Sequence, residues 1–288
     1  MESTHMKISF LVIHIALVVL CFAAIASADV IDPYDGMSAP PGTVALYSYF
    51  GQTHYPDIAG NSGDKYHIGY DQSYMLIRPV YFIGKIADKL SYGFNAILPV
   101  AHISVDGADN EFGMGDIGIS PFIYLYENPN SKIYLSFWEF IFMPTGKYDE
   151  NNIFNLGRNA WWFQHQLAFG WYPNQFGMDM NVNYFQFTDS DKLKYDEPDA
   201  FELETVVHYG ITDKLRVGVN AAYWVGTEDA VIDGIDITDT KPLNIKLGLN
   251  LSYAFSDKIT GGIRWMHDVN SINYPSGDWV YVRLAYIF

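Results

Sequence analysis

The sequence predicts an all-β fold, an antiparallel β-barrel of about 12 strands that crosses a membrane. Three observations predict it. First, the last eleven residues alternate strictly: Val280, Val282, Leu284, Tyr286 and Phe288 share one face, and Trp279, Tyr281, Arg283, Ala285 and Ile287 the other. A strand with one apolar and one mixed face that ends the chain on an aromatic is how such a barrel closes, so Tyr286 and Phe288 are the closing signal. Second, tight turns alternate with long polar segments. Third, mean hydropathy is near zero although 17% of residues are aromatic, as expected when strands hide their apolarity at period two.

At the N-terminus, Lys7 precedes an apolar run from Ile8 to Ile25, and Ala26-Ser27-Ala28 forms an A-x-A site before Asp29. Residues 1–28 therefore read as a secretory signal peptide, with Met6 as the natural start and export as the consequence. The apolar run is almost long enough to be a membrane anchor. The placed A-x-A site and the lack of a basic stop after it favour cleavage. Cys21, the only cysteine, lies inside this signal, so the mature chain offers no disulfide and no Cys-ligated metal. Residues 29–42 form a periplasmic lead-in and 43–288 a single barrel domain.

Five tight turns punctuate the barrel. Ala87-Asp88-Lys89-Leu90, Thr212-Asp213-Lys214-Leu215 and Ser256-Asp257-Lys258-Ile259 repeat one pattern, and Asn128-Pro129-Asn130-Ser131 and Pro173-Asn174-Gln175 serve the same purpose. Six longer segments rich in Asp, Gly, Asn and Pro alternate with them, at 53–67, 103–114, 145–158, 188–199, 227–242 and 267–277. The strand-length runs between are 43–52, 69–84, 90–102, 115–126, 132–144, 159–172, 176–187, 200–210, 215–226, 243–255, 259–267 and 278–288. An even count puts both termini on the periplasmic side, with tight turns there and long loops outside.

Charged side chains fix which face is inward, because a charge toward lipid costs several kcal/mol. In 243–255, Leu243, Ile245, Leu247, Leu249, Leu251, Tyr253 and Phe255 face out, and Asn244, Lys246 and Asn250 face in. The same rule puts Arg216, Asn220 and Trp224 inward, with Glu202, Glu204 and His208, and with Asp179, Asn181 and Asn183. The run 132–144 is ambiguous: Glu139 inward carries Phe137 and Ile141 inward too. The expected lumen charges are then Asp116, Glu139, Asp179, Glu202 and Glu204 with Arg78, Arg216, Lys246, Arg264 and Arg283. Mixed signs favour pairs that brace the wall over a ring that selects solutes.

A soluble lipocalin-like barrel or sandwich is the alternative fold, but it would bury these mid-strand charges. A formal charge of −16 argues against nucleic acid. Most of it sits in loops, with Asp189, Asp191, Asp196, Glu197 and Asp199 in one and Glu228, Asp229, Asp233, Asp236 and Asp239 in another. Neither run has the spacing of a calcium loop, so a solvated acidic rim is the simpler expectation. Scattered histidines show no metal-ligand spacing, and no Ser-His-Asn site of the outer-membrane phospholipase kind can be assembled. The expectation is no enzyme, no cofactor and no metal. The expected partners are outer-membrane lipid, the barrel-assembly machinery and a small solute; oligomeric state stays open.

Residues 115–172 carry a more specific pattern. Gly115-Asp116-Ile117-Gly118, then Pro144-Thr145-Gly146-Lys147-Tyr148-Asp149, then Asn155-Leu156-Gly157-Arg158-Asn159-Ala160-Trp161 resemble the central motifs of the outer-membrane transporter family named for the meta pathway of phenol degradation. Leu98-Pro99-Val100 fits the same pattern. The resemblance implies a bacterial outer-membrane channel for small, apolar or aromatic molecules. Physically, Pro144 ends a strand, and Gly146 and Gly157 permit φ > 0 in a folded loop. That loop either turns inward as a constriction or only shapes the turn.

Overall fold

The computed structural model describes residues 31–288 apart from residues 109, 151, 153, 189–194 and 233–234. The expected signal peptide and the loop acids Asp189, Asp191 and Asp233 lie outside the described residues. Twelve antiparallel strands form the wall: β1 (Val44–Ala59), β2 (Lys65–Ile86), β3 (Leu90–Val105), β4 (Ile117–Asn128), β5 (Ile133–Met143), β6 (Trp162–Trp171), β7 (Phe176–Phe187), β8 (Ala200–Gly210), β9 (Leu215–Gly226), β10 (Leu243–Ala254), β11 (Ile259–Ile272) and β12 (Tyr274–Ile287). Each pairs with its sequence neighbours, and β12 pairs back onto β1, so the twelve-strand wall closes on itself. With no water in the bilayer to satisfy backbone groups, closure is what makes the wall stable there.

The seam rests on the chain end. Ala45 to His54 pair in register with Ile287 to Asp278, and the Phe288 amide donates to the Val44 carbonyl at 2.9 Å. Val280, Val282, Leu284, Tyr286 and Phe288 are all outward and exposed, as their alternation predicts. Deleting Phe288, or replacing it with Asp, removes the closing aromatic. The expected result is loss of the heat-modifiable barrel band on gels; an unchanged band would contradict this role.

Two expected loops are largely strand. β1 and β2 run through most of 53–67 to a turn at 60–64, and β11 and β12 meet at Asn273 in the middle of 267–277. The cause is strand length. Sixteen residues of β1, tilted about 40°, rise roughly 40 Å, well beyond the ~25 Å apolar band. Above the bilayer both faces are wet, so alternation fades and the sequence reads as loop. The outer row His267, Asp278, His54, Asp71, in register across four strands, belongs to this polar extension.

The fourth stave is interrupted. Glu111–Met114 pairs with the upper part of β3, Val100 opposite Met114. Pairing resumes with Ile97 opposite Gly118, leaving a break at Gly115 and Asp116.

Candidate functional site

The lumen has two unlike walls. On one side an aromatic stripe crosses the inner faces of β2, β4, β5, β6 and β7. Phe82 meets Phe122 edge-on, and Phe122 stacks on Trp138 with centroids 4.0 Å apart. Trp138, Phe140 and Phe142 follow at alternate positions of β5, and Phe142 lies flat on Trp162 at 3.5 Å. Phe185 and Phe187 continue beside Trp162, and Phe185 reaches Trp224 at 4.5 Å. Period two puts these rings on one face, and cross-strand pairing joins them. The opposite wall is polar, with Asn220, Asn244, Asn250, Arg264 and Asp268 all buried.

This β5 register corrects one expectation. Trp138, Phe140 and Phe142 point inward and are buried, so Glu139 and Phe137 point outward. Glu139 is tolerated there because His165, opposite it on β6, brings Nδ1 to 2.7 Å from its carboxylate. Pairing across strands removed the charge signal on which the inward assignment rested. The other expected lumen charges, Arg78, Asp116, Asp179, Glu202, Glu204, Arg216, Lys246, Arg264 and Arg283, are placed inside.

At the long-loop end, the segment after Pro144 is clasped into the barrel. At the break in the fourth stave stands Asp116, whose carboxylate accepts the amides of Gly146 at 2.8 Å and Arg158 at 2.9 Å. Both limbs of the loop are therefore tied to one buried side chain. Thr145 Oγ1 accepts the Ile117 amide at 2.9 Å, and Asn155 bridges the turn to the Asp149 amide and carbonyl. Phe154 and Leu156 are buried, Phe154 against Tyr70 on the inner wall. Arg158 lies over Phe187 and Trp162 and bonds Glu197. Tyr148 is half-buried, and Trp161 is 46% exposed on the outer side.

The glycines serve a different purpose from the expected one. Neither Gly146 nor Gly157 has positive φ; Asn159 does, at 54°. Instead the two glycines pass each other: a Cβ on Gly146 would sit 2.6 Å from the Gly157 Cα, and one on Gly157 2.7 Å from the Gly146 backbone. Only hydrogen side chains permit that approach.

At the short-turn end the described part of the lead-in, residues 31–42, is inside the barrel rather than in the periplasm. Asp32 accepts the Tyr281 hydroxyl at 2.9 Å and pairs with Arg283 at 3.2 Å and Arg264 at 3.5 Å. Asp35 pairs with Arg283 at 3.2 Å. The amides of Tyr34 and Gly36 donate to the fully buried Asp179, which also accepts the Tyr172 hydroxyl. The Tyr34 ring packs on Tyr172 and under the Arg216 guanidinium. Arg216 donates toward His208 Nδ1 at 3.2 Å, which leaves His208 Nε2–H facing Asp179 at 3.3 Å. Thus arginines on β11 and β12 hold the acids of the segment, and an acid on β7 holds its backbone.

Burial and the neighbouring Asp32 raise the Asp35 carboxyl to about 7, against the opposing pull of Arg283 and Arg78. The docked carboxyl binds its proton more tightly than a free one, so docking is favoured at low pH and weakens as pH rises through about 7. Single-channel current should therefore rise between about pH 4 and pH 7, and Asp35→Asn should flatten that rise. A wild-type current independent of pH would contradict it.

Between plug and wall lies a cavity of about 310 Å³ at the short-turn end. Tyr47, Arg78, Phe82, Trp138, Arg216 and Arg283 are among its lining residues, so it opens onto the lower end of the aromatic stripe. The loop acids at the other end brace loops: Asp229 accepts the amides of Thr240 and Lys241, and Asp199 that of Phe187.

Residues 50–284 match the family model described as "Putative MetA-pathway of phenol degradation". The chain belongs to that family. Its fold is that of the COG4313 outer membrane channel from Pseudomonas putida F1, with a TM-score of 0.83 at 18% identity, covering 90% of this chain and all of that one. The β domain of the Bordetella autotransporter BrkA is a more distant likeness, with a TM-score of 0.52 at 10% identity over 87% of this chain and all of that one. No curated protein matches the chain. The family member described here is thus an outer-membrane-type β-barrel with an inward-folded loop and an N-terminal plug.

Proposed function

We propose that the barrel is an outer-membrane channel through which small apolar or aromatic molecules diffuse passively, with the plug and the clasped loop as its gates. The carrying observation is the aromatic stripe, which runs without interruption from the short-turn cavity to Trp162 and Phe187 beneath the clasp. A solute moving along it exchanges one ring face for the next, with the polar side chains of the opposite wall across from it. Family membership and the likeness in fold to an outer membrane channel support this reading. The apolar cargo rests on the stripe.

Closure at both ends favours a second reading, a barrel that transports nothing and serves as a structural or surface-binding protein. Uptake separates the two. Intact Gram-negative cells that produce the barrel should take up labelled benzyl alcohol several-fold faster than cells without it. Equal rates, with the barrel correctly inserted, would favour the structural reading.

A further inference from the structure

We propose that the short-turn cavity is a binding site for a small aromatic carboxylate, its ring on the aromatic stripe and its anionic group on the arginines. The proposal rests on the channel reading and narrows its substrate class. Four cationic side chains line the cavity, Arg78, Lys214, Arg216 and Arg283, against two carboxylates, Asp35 and Asp213. Apolar bodies stand beside the charges: Tyr47, Phe82 and Trp138 belong to the same lining. The Arg78 guanidinium lies 5.5 Å from the Trp138 ring centre and 6.0 Å from that of Phe140. A flat anion can thus set its ring against the stripe and its carboxylate toward a planar fork of donors, the arrangement that gives directional, charge-assisted bonds. The volume, about 310 Å³, lies at the lower end of small-molecule pockets and suits a single ring with one substituent.

The position of the site bears on direction. Among the described residues, the loop acids Asp199, Glu228, Asp229 and Asp239 lie at the opposite end and disfavour anions there, whereas the cationic cavity opens at the short-turn end. An aromatic carboxylate therefore reaches this cavity from the periplasmic side.

The test is calorimetric titration of the intact barrel in non-ionic detergent at neutral pH, with benzoate and with uncharged benzyl alcohol. Benzoate should bind about ten-fold more tightly, the difference that one added charged hydrogen bond supplies. Arg78→Gln should weaken benzoate several-fold and leave benzyl alcohol unchanged. Lys214→Gln, in a solvent-exposed turn where folding is not at risk, should do so more mildly. Equal affinity for the two probes, or benzoate binding untouched by both variants, would overturn the proposal. So would failure of benzoate to bind while benzyl alcohol still interrupts channel current, and that outcome leaves the channel reading standing. A barrel that binds benzoate in this way but passes no current supports the site and sinks the channel.

Discussion

Deleting residues 31–42 should raise single-channel conductance several-fold while leaving a folded, heat-modifiable barrel. The segment fills the short-turn end of the lumen, and its removal exchanges Asp32, Tyr34 and Asp35 for water. The wall does not depend on it: every strand keeps both neighbours without it. The arginines and Asp179 that now pair with the segment would face a wet lumen, where an unpaired charge costs little compared with a dry interior. Planar-bilayer recording measures the effect. Conductance equal to that of the intact chain would show that the plug does not close the path.

Gly157→Val should open the other end. Its new side chain would meet the Gly146 backbone at 2.7 Å, and backbone cannot rotate away as a side chain can. The two limbs must separate, which pulls the Gly146 and Arg158 amides off Asp116. Overpacking of this kind costs about 1–3 kcal/mol, enough to release a loop and too little to unfold a closed barrel. Expected are longer or more frequent openings, with a small drop in thermal stability. Gly157→Ala should be milder. A Val variant with unchanged permeation would confine the motif to shaping the turn.

How much of this was legible in the sequence varied with the physics. Strand β10 could be read residue by residue, because leucines alternate with Asn and Lys and the bilayer penalises any other register. β5 could not, because it carries bulky apolar residues on both faces: lipid on one side, the aromatic stripe on the other. The single charge there, Glu139, pointed the wrong way because its partner His165 sits 26 residues later, where only strand pairing reveals it. The plug was illegible for the same reason on a larger scale. Asp32 and Asp35 look like loop acids until Arg283 is known to lie beside them, 248 residues from Asp35 in sequence. The clasp stood between these cases. Its glycines and Asp116 announce a special loop, but the reason for the glycines, two backbones passing at contact, exists only in the folded barrel.

The lumen should become a continuous path once both closures are removed. The most direct measurement is the single-channel current of the barrel that lacks residues 31–42 and carries Gly157→Val, with benzyl alcohol added as a blocker. Discrete openings larger than those of the intact chain are expected, interrupted as solute occupies the aromatic stripe. A correctly folded doubly opened barrel that passes no current would contradict it.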